Sequence, residues 1–237
     1  MSAAALRLQA AIIDLDGTLV DTAEDFSQAL NAMLQVLIRQ GDLRAKSSVR
    51  LETAQVRSMV GKGSEHLVHS ALKCVFSAGA SSTHALDALA ALAMPVYQDC
   101  YRDINGRHAE IYAGVLEGLE RLQSLGLELT CLTNKPVGFA EPLLAEMGLA
   151  PFFTHVFGGD SFERKKPDPL PVLKCCEAMG TLPGRTLVIG DSSNDAKAAR
   201  SAGCPVVLVT YGYNHGEPIL EVDADAFVES LLDVPLV

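Results

Sequence analysis

Residues 10–22 read AAIIDLDGTLVDT, and no other stretch limits the fold of this chain as tightly. The apolar run of residues 10–13 has the length and branching of a buried strand. It stops at two carboxylates one residue apart, Asp14 and Asp16, with Gly17 and Thr18 directly after. Asp and Gly behind a buried run mark the exit into a loop. Acids at the carboxyl end of a parallel strand stand where open α/β sheets bind ligands. Gly17 can bring the backbone close to a ligand and turn N–H groups toward it. Taken alone, Asp-x-Asp-Gly is equally a turn with two solvated acids, because short motifs recur by chance.

The pattern that follows has two parts. Residues 23–39 place Phe26, Leu30, Met33, Leu34 and Leu37 at helical spacing. A polar break at 41–48 leads to a short helix at 52–59, a Gly61-Lys62-Gly63 turn, and a helix at 65–76. A small-residue loop at 77–83 precedes an alanine–leucine helix at 85–94, stopped by Pro95 and resumed over 96–102. From residue 112 strands and helices alternate, with helices at 114–126, 139–147, 169–179 and 194–202. The strands between them fall at 127–132, 156–157, 186–189 and 206–210, with a short last one at 226–228. Such alternation predicts a parallel sheet with helices on both faces. The all-helical stretch interrupts the series after its first strand, so it is an insertion. The expected division is a catalytic core at 1–20 and 105–237, and a helical cap, or lid, at 21–104.

Composition narrows the partners. The chain has 237 residues, 49% of them apolar, enough for a core domain and a smaller one. A formal charge of −10 argues against nucleic acid. It leaves room for a small anion in a local cationic pocket. The six cysteines form no CxxC pair and several sit in apolar runs, which predicts reduced thiols and a cytoplasmic protein. The first residues resemble a leader, but Arg7, Gln9, Asp14 and Asp16 break the apolar run, so no signal peptide is expected. No run reaches the roughly 18 apolar residues of a membrane span.

Three further pieces fall at strand ends or beside them. Thr133 and Asn134, in LTNKP, offer a hydroxyl and an amide suited to an anion, or form an ordinary polar turn. Lys165 and Lys166 precede Pro-x-Pro, where two lysines alone would be a solvated turn. Gly190-Asp191-Ser192-Ser193-Asn194-Asp195 ends a strand and opens a helix, with Ser193 or Asn194 as candidate caps. In this order the four pieces resemble the haloacid dehalogenase superfamily of phosphatases, whose motifs are DxDGT, a Thr or Ser after the second strand, a Lys before Pro, and GDxxxD. The resemblance spans residues 10–216. DLDGTLVDT, TNKP, KKPDP, GDSSNDAKAARSAGCP and TYGYNHGE are more closely similar to the bacterial phosphoglycolate phosphatase family.

The resemblance implies an α/β fold, with a Rossmann-like parallel sheet core and an inserted all-helical cap. It implies an enzyme that hydrolyses a phosphomonoester of a small metabolite, 2-phosphoglycolate first. It makes Asp14 the nucleophile and Asp16 the acid that protonates the leaving oxygen. Mg²⁺ is then held by Asp14, the carbonyl of Asp16 and Asp191, with Asp195 in support. Lys166 neutralises charge, while Gly17, Thr133, Asn134 and Lys166 bind phosphate. A carboxylate about 4 Å from a phosphate charge is repelled by about 4 kcal/mol at an effective dielectric near 20, which is why cations are needed. A carboxylate-bearing substrate also calls for a cation from the cap, for which Lys62 and Arg102 are the candidates. Lys62 is equally an exposed turn residue.

Other phosphatase substrates, such as a sugar or amino-sugar phosphate, remain open, as does a phosphosugar mutase. A receiver-like signalling module also carries an aspartate that takes up phosphate; Asp16 and GDSSND speak against it. A scaffold with a dead site is opposed by the presence of every catalytic residue type. The histidines, including the His66–His69 pair, read as surface residues without a third metal ligand. Residues 211–215 are expected to border the site. Monomer and dimer are both open.

Overall fold

The computed structural model describes residues 8–43, 49–76 and 83–235, so the loops expected at 41–48 and 77–83 lie largely outside it. In chain order the first elements are β1 (Ala10–Ile13), β2 (Val20–Asp21), α1 (Ala23–Gln40), α2 (Thr53–Arg57), α3 (Ser64–Phe76), α4 (Thr83–Ile104) and β3 (Glu110–Ile111). There follow α5 (Val115–Ser124), β4 (Glu128–Leu132), α6 (Val137–Glu146), β5 (His155–Phe157) and α7 (Leu170–Ala178). The chain closes with β6 (Thr186–Gly190), α8 (Ser193–Ala202), β7 (Val206–Val209) and β8 (Ala226–Val228).

Six strands form one parallel sheet in the order β5–β4–β1–β6–β7–β8. β1 is central, with Ile13 opposite Cys131 of β4 on one side and Ile189 of β6 on the other. Its four residues are buried because both faces of the sheet are covered. Alternation sends Ala11 and Ile13 to one face, where they meet Val115 and Leu119 of α5 and Leu143 of α6. Ala10 and Ile12 go to the other face, against Val172 and Cys175 of α7 and Ala199 of α8. Crossover helices on both faces of a parallel sheet are the α/β, Rossmann-like architecture the strand–helix alternation predicts. The chain reverses direction in strand order between β1 and its two neighbours, so the carboxyl end of β1 opens on the crevice where such sheets bind ligands.

α1 to α4 bury a separate apolar cluster. Leu30, Met33 and Leu37 of α1 pack with Val68 and Leu72 of α3 and with Ala93 and Tyr97 of α4. α4 corrects the expectation of a helix stopped at Pro95: it runs through that residue. Leu89, Ala93, Tyr97 and Tyr101 recur every fourth residue as one buried stripe, and Pro95 lies on the exposed side. Burial of the stripe outweighs the backbone bond that proline forfeits. Pro95→Ala is therefore expected to raise the stability by about 1 kcal/mol or more. A denaturant midpoint below that of the wild type would show that the proline is instead favoured through the unfolded chain.

Two chain crossings join the helical unit to the sheet, and they are held side by side. β2 and β3 pair antiparallel, with Val20 opposite Ile111 and Asp21 opposite Glu110. Two-residue strands carry no readable period, so the sequence pattern does not show this ribbon. Beside it the buried Asp25 accepts backbone hydrogen bonds from Gly106 at 2.6 Å and His108 at 2.8 Å. All six cysteines are free, four of them buried. Among the described residues no helix is long and apolar enough to cross a membrane.

Candidate active site

The carboxyl ends of β1, β4 and β6 bring the expected residues to one place. Asp14 follows β1, Thr133 and Asn134 follow β4, and Asp191 follows β6. Lys166 reaches in from the loop before α7. Its ammonium, 4% exposed, lies 2.8 Å from Asp14 Oδ1 and 2.7 Å from Asp195 Oδ1. It also donates to the carbonyl of Leu132 at 2.7 Å. Burial pulls this lysine toward neutrality, but Asp14 and Asp195 outweigh it and hold the ammonium charged well above its ordinary range.

Three buried carboxylates, Asp14, Asp191 and Asp195, offer oxygens within 4.8 Å of one another. One ammonium cannot balance three acids. Burial pushes Asp14 up to about 7, with Asp195 and Asp16 adding repulsion and Lys166 opposing it. Asp191 is raised well above the carboxylate range by burial, then by Asp195 and Asp14. Excess negative charge among hard oxygen donors fits a divalent cation such as Mg²⁺.

The three acids are not equivalent. Asp195 is the most heavily bonded: Oδ1 takes Lys166, and Oδ2 accepts from Ser192 Oγ at 2.6 Å and Ser192 N at 3.2 Å. That capping box makes Ser192 the N-cap of α8, one residue before the expected Ser193 and two before Asn194. Asp191 accepts from the Tyr213 backbone N–H at 2.6 Å through Oδ2 alone. It is wedged between two glycines, since a Cβ on Gly17 would lie 2.3 Å from Asp191 Oδ2 and one on Gly212 would lie 2.2 Å from Asp191 Cβ.

Gly17 itself departs from expectation. It adopts φ +90°, but its N–H donates to the Val20 carbonyl at 2.9 Å and is closed to a ligand. Its contribution is the space it leaves for Asp191. The N–H groups of Leu15 and Asp16 have no acceptor among the described residues. Asn134 likewise acts through its amide as a strut, donating to the carbonyls of Gly61 and Lys166, each at 2.9 Å. Thr133 Oγ accepts from the Lys135 N–H at 3.1 Å and so shapes the turn.

Asp16 has two partners that the motif does not reveal. Thr22 Oγ1 donates to its Oδ1 at 2.7 Å, and the Lys135 ammonium pairs with the same oxygen. Lys135 stands inside TNKP and joins the site with no local sequence signal to mark it. It is buried, and its ammonium lies 4.6 Å from the Phe26 ring centre and 5.3 Å from that of Tyr101. Together with Asp14, Asp16, Lys166 and the Gly61 turn, it lines a small cavity of about 30 Å³ between the sheet and the helical unit.

Lys62 and Arg102, the expected cap cations, do not line that cavity. Gly61 and Gly63 face it, whereas Lys62 between them is exposed. Arg102 is exposed and paired with Asp99 at 2.7 Å, one turn away on the same helix. The loop after β7 does border the site, as expected, and acquires a physical role. Tyr213 OH accepts from Thr22 N at 2.8 Å and donates to Asp21 at 2.9 Å. His215 Nδ1 meets the Val60 carbonyl at 2.8 Å. These contacts tie the sheet to both the start of α1 and the Gly61 turn.

A cluster of buried acids at and beside strand ends, only partly offset by a buried lysine, under a helical unit inserted after the first strand, defines a class of hydrolases. Residues 8–203 match the haloacid dehalogenase-like hydrolases, and the chain belongs to that family. It is 40% identical over 231 residues to a phosphoglycolate phosphatase of Thiobacillus denitrificans (strain ATCC 25259 / T1), covering 98% of this chain and 96% of that one. It is 42% identical over 228 residues to a phosphoglycolate phosphatase of Nitrosospira multiformis (strain ATCC 25196 / NCIMB 11849 / C 71), covering 96% and 94%. A crystal structure described as a predicted phosphoglycolate phosphatase from Haemophilus somnus 129pt superposes with a TM-score of 0.83 at 29% identity, covering 95% of this chain and 96% of that one.

Proposed function

We propose that this chain hydrolyses the phosphomonoester of a small metabolite through an aspartyl-phosphate on Asp14, and that 2-phosphoglycolate is its substrate. The observation that carries the reaction is the placing of Asp14. It ends the central strand, faces the cavity, and lies 2.8 Å from the Lys166 ammonium, with Asp16 lining the same cavity. The names of the two relatives at 40% and 42% identity support the substrate.

The residues divide the work. An Asp14 oxygen attacks phosphorus, and the bond to the leaving oxygen breaks as Asp16 gives that oxygen its proton. Asp16, now a carboxylate, takes a proton from water as the water attacks phosphorus, and the Asp14–phosphorus bond breaks. Thr22 and Lys135 hold the Asp16 carboxyl in place for both steps. The free N–H groups of Leu15 and Asp16 and the Thr133 hydroxyl provide donors for the phosphoryl oxygens, with Lys166 as the fixed charge. Each such donor is worth about 10²–10³ in rate.

Asp14, Asp191 and the carbonyl of Asp16 would hold Mg²⁺, with Asp195 orienting Lys166 and the first turn of α8. Once bound there, Mg²⁺ offsets the repulsion between the Asp14 carboxylate and a phosphate dianion. The helical unit of α1 to α4 serves as the cap over this chemistry, and the β2–β3 ribbon is its hinge. The enzyme works in the cytoplasm.

Phosphate release from a panel of metabolite phosphates, with Mg²⁺ or with EDTA, tests the reading. The panel holds 2-phosphoglycolate, a hexose 6-phosphate, an amino-sugar phosphate and a nucleotide. The expected result is Mg²⁺-dependent release with a clear kcat/KM preference for 2-phosphoglycolate. Even, weak release across the panel would remove the substrate and leave the reaction. No release from any ester would remove both.

A further inference from the structure

Lys135 is a buried cation with unused donors. An ammonium has three N–H bonds. Among the described residues, that of Lys135 makes one hydrogen bond, to Asp16 Oδ1. The side chain is 2% exposed. Burying such a charge is costly, and one shared carboxylate oxygen with two aromatic faces is a lean compensation. Those faces, Phe26 and Tyr101, come from α1 and α4, so the ammonium stands where the helical unit meets the sheet. Tyr101 also lines the cavity, and its hydroxyl is buried without a hydrogen-bond partner. Lys135 and Tyr101 thus line the same cavity as Asp16, and each has donor capacity to spare.

Their position relative to the reaction gives them a use. With Asp14 at phosphorus and Asp16 at the leaving oxygen, the remainder of the leaving alcohol extends past Asp16, toward α1 and α4. Resting on the reading above, we propose that the Lys135 ammonium and the Tyr101 hydroxyl bind a carboxylate carried by the leaving alcohol. They thereby select substrates whose second anionic group lies within two bonds of the ester oxygen. In this assignment the cation that chooses the substrate comes from the turn after β4. Its companion comes from α4, so an acidic substrate holds sheet and helical unit together while an uncharged one does not. The Asp16 carboxyl shares the ammonium with the substrate carboxylate, which explains why a single lysine is left with free donors.

The test compares 2-phosphoglycolate with ethyl phosphate, in which a methyl group replaces the carboxylate. The quantity read is the ratio of the two kcat/KM values, because any general damage to Asp16 cancels in it. Lys135→Met is expected to lower that ratio by about 10- to 100-fold, the usual effect of losing a charge-assisted hydrogen bond. Tyr101→Phe keeps the ring under the ammonium and is expected to lower the ratio about 3- to 10-fold, chiefly through KM. Lys135→Arg should retain part of the preference. Should Lys135→Met fail to fold, Tyr101→Phe decides, since it removes only an unpartnered hydroxyl. A wild type that prefers 2-phosphoglycolate, with the ratio unchanged in both variants, overturns this inference alone. A wild type that hydrolyses the two esters equally well overturns both it and the substrate proposed above.

Discussion

Asp14→Asn is expected to abolish phosphate release while making the metal-free protein more stable. The loss should reach about 10⁴-fold or more, as it does when a covalent nucleophile is removed from a set of groups that act together. An amide cannot attack phosphorus, and none of Asp16, Lys166 or Thr133 can replace it. The gain in stability comes from the same side chain. Asp14 is buried beside Asp195 and Asp16, and its carboxyl is raised from 3.8 to about 7. A carboxyl with a raised value favours folding only while protonated. Its contribution is intact below about pH 4 and is lost as the pH rises through about 7. At pH 8 the folded wild type therefore carries an unfavourable ionised group that Asn does not. The melting temperature of the variant should exceed that of the wild type by a few degrees at pH 8 in EDTA, with a smaller difference at pH 5. Mg²⁺ should narrow the difference by stabilising the wild type more than the variant. A variant that melts below the wild type at pH 8 in EDTA would show that Asp14 is held there by net attraction, and the account of the acidic cluster would fail.

This opposition of activity and stability is also what made the site legible in the sequence. Groups that conflict with folding are tolerated where chemistry needs them, so Asp14, Asp16 and Asp191 behind buried strands stand out. The sheet was readable for a related reason. Every strand of the core is a short apolar run, and each helix between them has its own stripe, so local pattern and tertiary burial agree. What was not readable depends on contacts between distant segments. Lys135 is one position beyond Asn134, yet its meaning lies in Asp16, Phe26 and Tyr101, which reach it from three other elements. Its signal was a lysine in a strand-end turn of an acidic chain, and nothing local separates that from a solvated one. Gly17 announces a special backbone, but only the fold shows that the space is for Asp191. Pro95 gives a true local signal that a long buried stripe overrides. Lys62 and Arg102 offer the sequence reading nothing but their charge. The structure leaves both outside the cavity, because a turn flanked by Gly61 and Gly63 can face inward through its backbone while its side chain faces water.

Lys166→Met should produce the largest loss of stability at a single position in the site, together with a loss of activity of about 10²-fold or more. Among the described residues the lysine is the one ammonium shared by Asp14 and Asp195, at 2.8 Å and 2.7 Å, and it also satisfies the Leu132 carbonyl. Methionine fills the volume but leaves two buried carboxylates facing each other. Removing one partner from a buried pair costs about 3–5 kcal/mol, which for a chain of this size is a fall of roughly 10 °C in melting temperature. The sign with pH follows from both partners. The lysine is held charged above its ordinary range, so its stabilisation is complete at every pH below about 10 and is lost only as the pH rises further. The carboxyls, without it, are relieved by protonation. The deficit of Lys166→Met should thus be greatest near pH 8 and shrink toward pH 5. Mg²⁺ should restore part of the stability, because a cation between Asp14 and Asp191 lowers the same repulsion, but not the activity, since the fixed charge beside the phosphoryl group is still missing. The stability half of this is checked by melting curves at pH 5 and pH 8 with Mg²⁺ or EDTA, and the other half by phosphate release. A variant that melts with the wild type at pH 8 in EDTA would mean that the acids are already protonated in the folded chain. In that case the excess negative charge that fits the cluster to a divalent cation would not exist.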